Sequence, residues 1–154
     1  MSFEQRFSNF LGRVADDIFD TLDSDVAEVV KDIMEQKLTA NVYSYQASEA
    51  AMNSRRYDDG GLLDQENMVG SVEYDPSQRA YVLTVSDEAP FQEEKDAAKG
   101  DALSDVVQIP IRGYNQPGPR PFTQPTEDEC ISSGRALEAF NAGMRRRGHE
   151  IEIF

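Results

Sequence analysis

The sequence holds a single cysteine, a single histidine and no tryptophan. One cysteine, Cys130, excludes an intrachain disulfide framework and any thiolate-rich zinc site, and it fits a reducing compartment. With His149 as the only histidine, any histidine-based triad would have to be built around the tip of a terminal segment. Long hydrophobic runs are missing too. Nothing approaches the ~20 apolar residues that cross a bilayer, and no charged-then-apolar export signal opens the chain, so a protein soluble where it is made is expected. Cations are scarce: 15 Lys and Arg stand against 29 Asp and Glu, a formal charge of −14. Affinity for phosphate comes from Lys and Arg that displace counterions, so this balance argues against a solitary nucleic-acid binder. An anionic membrane surface would repel the chain for the same reason.

What is present describes one folded unit. A chain of 154 residues is long enough for one domain with a real core and too short for two. Its 39% hydrophobic and 9% aromatic content is low for a globular protein but above that of a disordered chain. Exposed arms or loops on a folded domain are therefore expected.

The opening is helical. Phe7, Phe10, Leu11, Val14, Ile18, Leu22, Val26, Val29, Val30 and Ile33 recur at three-and-four spacing and paint one stripe. Asp16, Asp17, Asp20, Asp25, Glu28, Asp32 and Glu35 occupy the other face. The spacing predicts a helix over about 3–37, roughly 50 Å if unbroken, with a break near Asp23-Ser24 as the alternative because both residues favour caps. Unbroken, it exceeds what a domain of this size covers alone, and its end would lie against a neighbouring subunit.

Residues 38–68 read as loop and turn, with Asp59-Gly60-Gly61 as the strongest turn signal. "MVGSVEY" and "RAYVLTVSD", rich in β-branched and aromatic residues and separated by "DPSQ", predict a β-hairpin over about 69–87. An acidic loop comes next, over 88–103. Residues 104–113 suit either a strand or a short helix, since Pro110 opposes a central strand, and 114–125 form a proline-stiffened loop. Thr126 and Glu129 have the spacing of a capping box, predicting a helix over about 127–147 with Ile131, Leu137, Phe140 and Met144 on its apolar side. Arg145, Arg146 and Arg147 suit its negative end, and Gly148 stops it. "HEIEIF", 149–154, alternates as an edge strand would. The fold class is α+β: a long N-terminal helix, a small antiparallel hairpin-based sheet, a C-terminal helix packed on that sheet and a short terminal strand. No internal repeat is visible.

Chemistry-bearing clusters are weak. Cys130 lies in a predicted first helical turn, where thiolate character rises, but Glu127, Asp128 and Glu129 oppose it. Asp58-Asp59, Glu93-Glu94-Asp96 and Glu127-Asp128-Glu129 lack the alternating oxygen-ligand spacing of a calcium loop. Gly60-Gly61 lacks the lysine and following helix of a phosphate loop. No enzyme, cofactor or metal is expected.

The string "VYSYQASEAAMNSRRYDDGGLLDQEN", with its Tyr-rich lead, Arg55, Arg56, Tyr57, the pair Gly60-Gly61, Leu62, Leu63, Asp64 and Asn67, resembles the head-tail connector, or neck and tail-component, family of long-tailed bacteriophages. "GPRPFTQPTED", with Arg120 and Phe122, is similar to the Arg-Pro-Phe segment before that family's final helix. Order and spacing agree across most of the chain, while the acidic insert 88–101 and "HEIEIF" do not map onto the family.

The resemblance implies a non-enzymatic virion protein, made in the host cytoplasm and assembled as a ring, commonly hexameric, at the head-tail junction. Its partners would be itself, the head-closure protein and the tail tube or tail terminator. A tail terminator or tail-completion protein is the near alternative. DNA would pass without specific binding, because each cation engaging a phosphate adds affinity that slows passage. Within the loops, Gly60 and Gly61 supply a turn, Leu62 and Leu63 anchor it to the core, and Asp64 and Asn67 cap the next segment. Arg55, Arg56 and Arg120 serve as ion-pair partners within the subunit or across the ring. Two other classes stay in view: an acidic DNA mimic that occupies a basic protein, and a small metal-dependent hydrolase using Asp58, Asp59 or Asp64.

Overall fold

The computed structural model describes residues 1–43, 62–89 and 122–150. Ser2 starts the first helix with a capping box: the Gln5 amide donates to Ser2 Oγ at 3.2 Å, and the Ser2 amide donates to Gln5 Oε1 at 2.9 Å. Two orphan donors of the first turn are thereby satisfied. α1 runs over Phe3–Asp20, and none of its residues is buried.

At Thr21–Val26 the backbone widens into a π-helical segment and continues directly as α2, Ala27–Leu38, and a second π turn, Thr39–Tyr43. Of the two alternatives, unbroken or broken near Asp23-Ser24, the helix is continuous, with a widened turn at that place. Its polar residues explain why. The Ser24 hydroxyl donates back to the Asp20 carbonyl, so this side chain bonds the preceding turn and does not break the helix, and the Thr21 hydroxyl likewise donates to the Asp17 carbonyl at 2.6 Å. The helical run also reaches beyond residue 37 to Tyr43.

Asp64 caps the short 3-10 turn Gln65–Asn67, its carboxylate accepting from the Glu66 amide at 3.1 Å. That turn leads into β1, Met68–Asp75, which pairs antiparallel with β2, Ala80–Asp87, from Met68↔Asp87 to Asp75↔Ala80. Asp75 Oδ1 holds the connecting turn by accepting from the Ser77 amide at 2.8 Å and the Ser77 hydroxyl at 2.6 Å. Those bonds favour the ionised form and hold the Asp75 carboxyl below its ordinary pKa. Across the sheet Tyr74 and Tyr81 meet edge-on, with ring centroids 5.3 Å apart.

The C-terminal region differs from expectation in three ways. It is two helices, α3 over Thr123–Ser132 and α4 over Arg135–Arg146, divided at Gly134, whose φ of +71° is open to a residue without a Cβ. Thr126 is no cap: it is buried inside α3, and its hydroxyl donates to the Phe122 carbonyl at 2.7 Å. Of the expected apolar side, Ile131 and Leu137 are exposed while Met144, at the end of α4 that crosses Thr21, is fully buried. A further correction concerns packing. α4 lies chiefly against the π segment and α2, and α3 against α2, whereas the hairpin meets the long helix through β1 on the π segment and β2 on α2. His149 and Glu150, where a terminal strand was expected to begin, are not strand; the His149 amide instead donates to the Met144 carbonyl at 3.0 Å and closes the helix end.

One core joins the three described stretches. Met34 and Leu38 of α2, Leu62, Met68, Ala89 and Phe122 form a buried cluster, with Leu63 and Val85 packed against it. Burial of a large apolar side chain contributes about 1.5–3 kcal/mol, so this cluster, fed from three separate stretches, ties the hairpin and α3 to the long helix.

Candidate functional site

Two features stand out, one polar and one apolar. The polar one is the crossing of α4 over the π segment. A Cβ added at Gly143 would stand 2.6 Å from Thr21 Cγ2 and from Asp25 Oδ2, so only glycine lets the helices approach this closely. Thr21 and Met144 are fully buried there, with the Thr21 hydroxyl 3.4 Å from Met144 Sδ.

The approach brings the last turn of α4 onto Asp25. Arg147 Nη1 donates to Asp25 Oδ2 at 2.6 Å, Arg146 Nη2 to Asp25 Oδ1, and Arg147 Nη2 to Ser24 Oγ at 3.3 Å. Burial pushes the Asp25 carboxyl up, but the hydrogen bonds and charges of Arg147 and Arg146 outweigh it and hold the group below its ordinary value. One turn further on, His149 Nε2 lies 2.6 Å from Asp17 Oδ2. Sequence reasoning assigned the three arginines to their own helix end, where Arg145 Nε donates to the Asn141 carbonyl at 3.3 Å and Arg147 Nη1 to the Gly143 carbonyl at 3.1 Å; the Asp25 partner of Arg146 and Arg147, 121 and 122 residues away, is a pairing no local pattern encodes.

The apolar feature is α1. Residues 1–13 are all exposed, including Phe3, Phe7, Phe10 and Leu11, and the Phe3 and Phe7 rings stack with centroids 6.0 Å apart. This half of the helix projects an uncovered aromatic face.

The residues singled out by sequence divide cleanly. Leu62 and Phe122, one from each family-like string, meet in the same core cluster, and Leu63 packs beside it. Asp64 caps the 3-10 turn, and Asn67 accepts at its carbonyl from the Glu88 amide at 2.8 Å, extending the hairpin's pairing by one bond. Arg55, Arg56, Tyr57, Gly60, Gly61 and Arg120 lie outside the described residues. So do Asp58, Asp59 and Glu93-Glu94-Asp96, the segments 104–113 and 114–121, and the terminal 151–154.

Two further titratable groups sit inward. Asp87 is buried at the end of β2, where its Oδ1 accepts from the Ala89 amide at 2.9 Å. Burial, with the Asp64 charge adding to it, pushes its carboxyl up to about 6. The Cys130 thiol is pushed up by burial, pulled down by Arg135 and pushed up again by Glu129, so its thiolate is suppressed. Among the described residues, no three His, Cys, Asp or Glu side chains are grouped to hold a metal.

Fold and site together define an α+β protein built along one amphipathic helix that is anchored at its middle and bare at its start. No helix among the described residues is long and apolar enough to cross a membrane. The chain belongs to the YomN family, whose model matches residues 8–146. YomN itself is a Bacillus phage-region protein. Comparison with curated proteins and with solved structures gave no match.

Proposed function

We propose that this YomN-family chain is a structural virion protein of the phage neck. It assembles as a ring, hexameric as in the connector proteins its sequence resembles, between the portal and head-closure complex and the tail tube, and surrounds the DNA channel. The same junction also accommodates a tail terminator or tail-completion protein, which is the nearest variant. The observation that carries the reading is α1: eighteen residues with an apolar face and none of them buried. A helix patterned for packing yet left uncovered among the described residues is built to meet another chain.

Family membership supports a phage context, and the charge of −14 suits a conduit that lets DNA pass without holding it. The acidic DNA mimic is less well served. A mimic needs carboxylates free to stand in for phosphates, and along this helix Asp25 is held by Arg146 and Arg147, Asp32 by Arg135, Glu28 by Lys31 and Asp17 by His149. The decisive experiment is the solution mass of the purified chain, with electron microscopy of its assemblies and immunolabelling of virions. Rings, or label at the head-tail junction, are expected; a protein that is strictly monomeric and also absent from virions overturns the reading.

A further inference from the structure

We infer that in the free protein the apolar face of α1 is covered by α1 of a second copy lying antiparallel to it. The helix is well formed where it is bare, since the Ser2–Gln5 capping box fixes its start. Phe3, Phe7, Phe10 and Val14 keep the four-three-four spacing of a helix-helix seam, with Leu11 flanking it. Phe3 is 79% exposed, Phe7 51%, Phe10 48% and Leu11 51%. Taking 150–250 Å² as the burial an aromatic side chain can reach, these four leave roughly 400 Å² of apolar surface per copy. Two copies face to face would remove about 800 Å² before their polar flanks are counted, which brings the contact near the ~1,200 Å² where stable interfaces begin.

Charge selects both the occupant and its direction. Up to Arg13, α1 carries Arg6 and Arg13 against one acid, Glu4; beyond Arg13 come Asp16, Asp17 and Asp20 and no base. A parallel pair in register would set arginine beside arginine and aspartate beside aspartate. An antiparallel pair with the Phe3 end against the partner's Asp20 end sets Arg6 beside the partner's Asp16 and Asp17, and the two-fold axis repeats the match. Each helix therefore carries both halves of its own complement, which is why a second copy is the occupant. The inference rests on the neck reading only in treating the α1 face as an assembly surface. A ring closes by head-to-tail contacts, whereas this pair closes on itself and keeps α1 covered until a ring neighbour replaces it.

Sedimentation of the full chain across a wide concentration range tests the pair. A mass of two chains is expected, weakened at least about tenfold in Phe7→Asp/Phe10→Asp, a loss of about 1.4 kcal/mol of binding, with circular dichroism unchanged because neither ring supports the fold. Arg6→Glu/Arg13→Glu and Asp16→Lys/Asp20→Lys should each dimerise poorly alone and pair with one another when mixed. In a Cys130→Ser background, Phe3→Cys should cross-link to Asp20→Cys and not to itself. A monomer at every concentration, a dimer indifferent to Phe7 and Phe10, or cross-links between two copies of Phe3→Cys overturns the inference. Label at the head-tail junction together with a free chain that is monomeric at every concentration would remove the pair and leave the neck reading intact. A Phe7-dependent dimer from a protein absent from virions would do the reverse.

Discussion

The same helical stripe has two fates along one helix. From Phe3 to Leu11 its apolar residues face water, while from Thr21 to Leu38 the buried side chains include Val26, Ala27, Ile33, Met34 and Leu38. Nothing in the repeat separates the two halves, since three-and-four spacing runs through both. The difference lies in what crosses the helix. Gly143 lets α4 close on Thr21 and Asp25, and β1 lies against Ala27 at Gly70, where even an added Cβ would make ordinary contact at 3.5 Å. Apolar patterning states that a helix will be covered; the elements that cross it decide which half is covered from within.

If the second half is the body and the first a docking arm, aromatic truncation should separate them. Phe122→Ala empties a fully buried site shared with Leu38, Leu62 and Met68. A loss of about 3–5 kcal/mol is expected from lost burial and the residual cavity, read as a drop in urea midpoint. A loss below about 1 kcal/mol would mean that this core does not govern the body.

Asp87 offers a test of the opposite sign. Its folded pKa of about 6 lies above the ~3.9 of an unfolded aspartate. Between those values the folded chain keeps a proton that the unfolded chain has released, so this group's contribution is fully present below about pH 4 and is lost as pH rises through 6. Asp87→Asn retains an acceptor for the Ala89 amide and removes the buried charge. It should raise stability at pH 7 by up to about 2–3 kcal/mol, with the advantage fading towards pH 4. Equal curves for both proteins across that range would contradict the assignment.

Much of the body was legible because its signals are local. The hairpin was readable from β-branched runs around "DPSQ" and extends over Met68–Asp87, and the amphipathic start of the chain is helical as its spacing requires. The misreadings share a cause. Thr126 and Glu129 fit a capping box by spacing, but the hydroxyl bonds four residues back from inside a helix that Pro125 tolerates in its first turn. Ser24 does the same at the π segment. Local sequence shows that such residues bond backbone and does not show which turn they choose. The Asp25 clamp and the shared core of Leu62 and Phe122 arise from contacts across most of the chain, beyond any local window.

The Asp25 clamp is the next smaller effect. Its carboxyl is held below the ordinary value, so its contribution is present above about pH 3.9 and lost as pH falls through the lower folded pKa. Arg146 is largely exposed and screened, which leaves Arg147 as the main partner. Asp25→Asn should cost about 1 kcal/mol at pH 7, a cost that shrinks as pH falls below about 3.9. A difference that persists in strong acid would place its origin in packing at Gly143 instead of charge.

Phe10→Ala should have the smallest effect on the fold of a single chain. The side chain is about half exposed and touches no buried cluster, so a thermal or urea midpoint measured in dilute protein should move by less than about 0.5 kcal/mol. The same substitution removes an aromatic from the middle of the projecting seam, so at high concentration the mutant midpoint should stop rising with protein concentration while the wild-type midpoint continues to rise. If Phe10→Ala instead destabilises dilute protein as strongly as Phe122→Ala, the first half of α1 belongs to the body, and the contrast between a covered and an uncovered half is lost.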